Sequence, residues 1–172
     1  MLLLIDGNVV QNDWDVALWK GVCLSVGWPG SWSNLRTDSG AAADESGMDA
    51  LGNFRRTTGD WAERAVAELV TSWGWQVLER NARLGHYEID IVARDGGTLV
   101  IIEVRFRGPG SLTSGFGSLS ASKRRRVRFA GERLWYSRYR HDPTLDHVRF
   151  DAASIQLDDT GTTMIEYSRA AF

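Results

Sequence analysis

With 172 residues and 43% hydrophobic content, the chain has room for one ordinary domain with some excess. Its formal net charge of −2 conceals an uneven distribution: Arg105 to Arg140 carries ten Lys or Arg against one acid, Glu132, a local +9 that points to a polyanionic partner. The single cysteine, Cys23, excludes an internal disulfide, the start Met1 to Ile5 has no preceding positive charge, and no apolar run approaches the roughly 20 residues of a membrane span. The expectation is a cytoplasmic protein with no membrane partner.

Residues 1–56 hold Trp14, Trp19, Trp28 and Trp32 without a sustained period, then a small and polar tract from Thr37 to Gly52 that reads as a linker. They are expected to form a poorly structured extension. Met48, nine residues before the expected onset of regular structure at Thr57, is a candidate natural start, which would make residues 1–47 an artefact of gene assignment. A helix is expected from Thr57 or Thr58, either of which can cap it, to about Trp73, with Val66, Leu69, Val70 and Trp73 in its apolar stripe. Glu63, three residues before Val66 and seven before Val70, falls on the edge of that buried stripe, an odd place for a carboxylate unless it serves the helix dipole. Trp75 to Arg80 reads as a short strand and Asn81 to His86 as a polar connection.

From Tyr87 to Arg107 two β-branched runs flank Asp95-Gly96-Gly97, the pattern of a β-hairpin. Ile89 and Ile91 are expected on one face of the first strand and Glu88 and Asp90 on the other. In the second, Val100, Ile102 and Val104 oppose Leu99, Ile101, Glu103 and Arg105. If Gly96 and Gly97 form the loop, Asp90 lies across from Glu103, with Cβ atoms roughly 5 Å apart. If Asp95 and Gly96 form it, Glu88 does. Either register sets acid against acid within strands built for burial, a repulsion that a divalent cation would relieve, since Mg²⁺ is typically held by one or two carboxylates. The bland alternative is a solvated acidic face with Arg105 as an ion-pair partner.

Gly108-Pro109-Gly110 ends the hairpin, and the Gly- and Ser-rich stretch to Ser120 reads as a mobile loop. Ser120 or Ser122 then caps a helix over about Ala121 to Tyr139, with Val127, Ala130 and Leu134 inward and Gly131 allowing close packing. Lys123, Arg124, Arg125, Arg126 and Arg128 crowd its first turns. Cations there oppose the macrodipole, and an external phosphate would reverse that penalty, so these five are the candidate nucleic-acid contacts. Val148 to Leu157 reads as a strand, and residues 158–172 as a tail with a terminal strand over Thr163 to Tyr167.

Six separated motifs resemble the YraN family in order and spacing: Gly59-Asp60-Trp61-Ala62-Glu63, Leu78-Glu79-Arg80-Asn81, Glu88 to Asp95, Ile102 to Arg107, Lys123-Arg124-Arg125 and Arg149-Phe150-Asp151. The resemblance covers about residues 57–157. It implies an α/β domain with a restriction-endonuclease-like core, a mixed β-sheet flanked by helices, similar to archaeal Holliday-junction resolvases. It also implies a metal-dependent phosphodiesterase site of the PD-(D/E)XK kind acting on branched or duplex DNA. Asp90 and Glu103 match the metal-binding acids for Mg²⁺ or Mn²⁺, Glu63 the acid from the first helix that would bind a second metal or a metal-bound water, and Arg105 the lysine position. Junction-cutting relatives of this fold commonly act as dimers, so a homodimer is implied as well. Two departures stand out: Gly85 is followed by His86 and Tyr87 before Glu88, and arginine replaces the motif lysine. Arg105 can neutralise a charged transition state but is a poor proton acceptor. The alternative expectations are therefore a nucleic-acid-binding module of the same fold without turnover, and a protein-interaction domain whose acids form structural ion pairs.

Overall fold

A computed structural model describes residues 2–5, 8–11, 45–107, 120–157 and 163–172. Two short strands, β1 (Leu2–Ile5) and β2 (Asn8–Gln11), pair antiparallel in a sheet of their own, so part of the expected extension carries a hairpin. The tryptophans at 14, 19, 28 and 32, the first part of the expected linker and the loop 108–119 lie outside the described residues. Helix α1 (Glu45–Ser72) begins twelve residues before Thr57. The threonines expected to cap it lie inside it, with Thr58 only 2% exposed, because a helix interior tolerates threonine at a cost of tenths of a kcal/mol.

The main sheet has the order β3 (Gln76–Leu84), β4 (Tyr87–Asp95), β5 (Thr98–Arg107), β6 (His147–Leu157), β7 (Thr163–Ser168). Only β5 and β6 run parallel, joined through the segment that contains α2 (Ala121–Leu134). Ala62, Val66, Leu69 and Val70 of α1 pack on one face against Ile91, Val100, Ile102, Ile155 and Tyr167. Val127, Ala130 and Leu134 of α2 cover the other against Val92, Leu99, Ile101 and Phe150. The result is a five-stranded mixed sheet between helices, as expected of a restriction-endonuclease-like core. Among the described residues no helix is long and apolar enough to cross a membrane.

Ser120 caps α2 by accepting from the Lys123 N–H at 3.2 Å, and the helix passes into a single π turn over Trp135–Tyr139. A Cβ on Gly131 would stand 2.5 Å from Phe150 Cε1 and 3.0 Å from Ile101 Cγ1, so the helix approaches the sheet as closely as glycine allows. Gly131→Val should therefore destabilise the fold by about 1–3 kcal/mol through overpacking, read as a lower urea midpoint at unchanged slope.

Sequence alternation fails at two places, the first a register shift between Val77 and Glu79 of β3 and the second at Asn81 and Asp90. Strand β3 continues through Asn81 to Leu84, where a polar connection was expected, and pairs Arg80 with Ile91 and Ala82 with Ile89. Ile91 packs on the α1 side and Ile89 on the α2 side, although residues two apart in an unbroken strand share a face. The expectation that Ile89 and Ile91 face together is thus overturned. Strand β4 reverses its facing at Asp90. Strand β3 reverses at Asn81, whose φ of +52° lies in the left-handed region that asparagine tolerates better than most residues. Arg80 accordingly lines a groove with Arg64 and Glu68 of α1, while Ala82 joins the α2 core.

Candidate active site

The double reversal sets up the site. The hairpin loop is Gly96-Gly97, with Asp95 paired to Thr98 and Gly96 at φ +59°, which selects the first of the two registers. Backbone pairing between β4 and β5 runs back to Ile91 and Ile102. One step further the Asp90 side chain takes over, its Oδ2 accepting the Val104 N–H at 2.7 Å. This bond aims the carboxyl group along β5 towards Glu103. Strand β5 keeps regular alternation, with Val100 and Ile102 on the α1 side and Leu99 and Ile101 on the α2 side, so Glu103 and Arg105 fall on the α2 side as expected.

Glu103 is only 2% exposed. Its Oε1 pairs with Lys123 Nζ at 2.8 Å and with Arg105 Nε at 3.4 Å. Its Oε2 is buried with no hydrogen-bond partner. Burial, reinforced by the Glu103 charge, pushes the Asp90 carboxyl up to about 7. Glu63 lies half-buried on α1, accepting a side-chain hydrogen bond from Asn81, and its pKa is raised above the usual carboxylate range chiefly by burial. Its Oε2, like that of Glu103, is buried without a hydrogen-bond partner.

The fold brings Asp90, Glu103, Arg105 and Lys123 together. Glu63 stands beside them, near enough for its charge to act on Asp90. Among the described residues no three His, Cys, Asp or Glu side chains converge closely enough to enclose a metal ion. The donor set nevertheless fits a hard divalent cation. Two carboxylates suffice for Mg²⁺ when water and substrate oxygens complete the shell, and an unpartnered buried carboxylate oxygen is a donor such an ion would satisfy.

Of the five basic residues expected to grip nucleic acid, Arg124, Arg125, Arg126 and Arg128 are exposed, Arg128 with its guanidinium 5.7 Å from the Phe150 ring centroid, and Lys123 is turned into the site. Sequence reasoning placed Lys123 on the backbone-binding face only. A compositional signal pointed further: with eighteen Arg and two Lys in the chain, a lysine at the head of an arginine run is unusual. Asn81 was missed as a site residue because strand β3 was ended before it.

The profile of the uncharacterised protein family UPF0102 matches residues 62–155. A UPF0102 protein of Sorangium cellulosum is 42% identical over 143 residues, covering 79% of this chain and 99% of that protein. One from Parafrankia is 35% identical, covering 66% of this chain and 94% of that protein, and one from Streptomyces coelicolor is 36% identical, covering 68% and 89%. Every motif of the site from Glu63 to Asp151 lies inside the matched span, and the chain belongs to the uncharacterised protein family UPF0102, the YraN family.

Proposed function

We propose that this chain is a metal-dependent endonuclease that hydrolyses DNA phosphodiester bonds. The observation that carries the reading is the partly buried Asp90 carboxyl acted on by the charge of buried Glu103, whose Oε2 is left without a partner. Asp90 and Glu103 would hold Mg²⁺ or Mn²⁺, with Glu63 beside them to orient water. A divalent cation held there supplies Lewis-acid polarisation of a phosphoryl oxygen and a more acidic water.

The chain's own groups do the rest. Lys123 and Arg105 converge on Glu103 from different elements, so positive charge faces the place where a phosphoryl group gains negative charge. Lys123 also answers the missing motif lysine, because a compact ammonium reaches the site from α2 while Arg105 holds the strand position. Exposed Arg124, Arg125 and Arg126 on α2 contact the phosphate backbone without reading sequence. Branched or duplex DNA is the substrate class that this reading favours, and a homodimer is the arrangement proposed for it.

The test is a cleavage time course on end-labelled branched and linear DNA with Mn²⁺, comparing the protein with Asp90→Ala. Cleavage is expected from the intact protein and absent from the variant. Salt-sensitive binding without any cleavage would instead identify a binding module of the same fold. DNA affinity should fall with a log–log salt slope of roughly −3 if Arg124, Arg125 and Arg126 each neutralise one phosphate.

A further inference from the structure

The outer stripe of α2 has a composition that a solvated basic helix does not need. Arg126, Phe129, Arg133 and Tyr136 are all exposed and recur every three or four residues, so cation and ring alternate along one face. Phe129 is 50% and Tyr136 65% exposed. Between them runs a shallow groove lined by Phe129, Arg133, Tyr136 and Ser137, with Glu132 at its edge. The rings continue onto the sheet: Tyr87 meets Phe129 with centroids 5.3 Å apart, and exposed His86 lies on Tyr87 at 4.3 Å.

Two separate elements tie this surface to the candidate active site. Phe129 is six residues along α2 from Lys123, about 9 Å at the helical rise. Tyr87 is three residues along β4 from Asp90, about 10 Å at the strand rise. Both elements therefore carry a ring within about 10 Å, measured along their axes, of a residue of the site. Ring faces add little to a duplex, whose bases are already stacked on one another, but unpaired bases stack on them whatever their sequence, while neighbouring arginines follow the backbone.

We infer that the surface formed by Tyr87, Phe129 and Tyr136, with Arg126 and Arg133 between the rings, is a stacking platform for unpaired nucleotides next to the scissile position. The inference rests on the nuclease reading and narrows its substrate class to DNA with a single-stranded segment at the cut. Local charge complementarity selects nucleic acid over an apolar protein partner, since the 105–140 segment carries +9 formal charges.

The experiment measures fluorescence anisotropy of labelled oligo(dT) and of a duplex of equal length in EDTA, with the full chain and its Phe129→Leu and Tyr136→Leu variants. Each variant should weaken oligo(dT) binding by about 5- to 100-fold and duplex binding by no more than about twofold. Arg126→Ala should weaken both alike. Tyr136→Leu keeps the comparison valid if Phe129→Leu fails to fold, because Tyr136 is the more exposed ring and sits beyond the Tyr87 contact. Equal losses on both ligands, or none, would overturn the platform while leaving Mn²⁺-dependent cleavage as separate support for the nuclease. Light scattering that showed a dimer split by either variant, at undiminished oligo(dT) affinity, would assign the surface to a second copy. An intact protein that neither bound nor cut any DNA would remove the nuclease reading and this inference together.

Discussion

Asp151→Ala should lower the stability of the domain by about 3–5 kcal/mol, measured by urea denaturation at neutral pH. Asp151 is completely buried at the centre of β6 and accepts from four groups. Arg149 reaches it through Nε at 2.9 Å and Nη2 at 3.0 Å, the Tyr167 hydroxyl at 2.9 Å, and the Ala170 N–H at 2.9 Å. Removing the carboxylate strands a buried hydroxyl and half of a partly buried guanidinium, and such groups cost more unpaired than their pairing contributes. The effect should fall toward the lower end, because Arg149 keeps Asp95 at 3.1 Å. Tyr167→Phe, which removes one donor, should cost about 1 kcal/mol. A loss below about 1 kcal/mol for Asp151→Ala would mean that water or another group replaces the carboxylate readily. The anchor bears on function through register: Asp151 pairs with Ile102 across the parallel β5–β6 ladder and Ala152 pairs with Glu103, so the same strand that locks the C-terminal segment backs the site.

Much of this arrangement was legible in the chain because short-range rules decide it. The β5 pattern and the glycine at 131 follow from period and volume and are found where those rules put them, while the Gly96-Gly97 loop and the Ser120 cap are each one of the two alternatives that turn and cap chemistry leave open. The failures share a cause. Regular alternation in β4 puts Ile89 with Ile91, and Asn81 reads as the start of a polar connection after Arg80, because periodicity assumes an unbroken ladder. The ladder breaks at Asp90 and Asn81 together, where one side chain replaces a backbone acceptor and the other residue takes a positive φ. Asparagine eases the positive φ at 81, but the rest of the break satisfies no local preference and is kept by what it positions. Lys123 was half-read for a different reason: its helix and its charge were visible, but its closeness to Glu103 exists only once α2 lies on the sheet.

In metal-free protein, raising the pH from about 4.5 to 7.5 should destabilise the native chain relative to Asp90→Asn. Burial and Glu103 raise the Asp90 pKa from 3.8 to about 7, so across this window the folded state holds a proton that the unfolded state has released. The stabilisation linked to that proton is complete below the unfolded pKa and is lost as the pH rises through the folded one, with a slope of at most about 1.4 kcal/mol per pH unit. Asparagine can still accept the Val104 N–H but carries no charge against Glu103. The variant should therefore melt at a higher temperature than the native chain at pH 7.5 in EDTA, with the two curves converging toward pH 4.5. Mn²⁺ should reverse the order, because a cation competes with the proton for the same oxygens and stabilises the native chain by about 2.7 kcal/mol at 100 times its Kd. Parallel melting curves in EDTA would show that Asp90 ionises freely in the folded protein. A native chain that stayed below the variant with saturating Mn²⁺ would show that the repulsion between Asp90 and Glu103 is not relieved by a metal, and the acids would then need another partner.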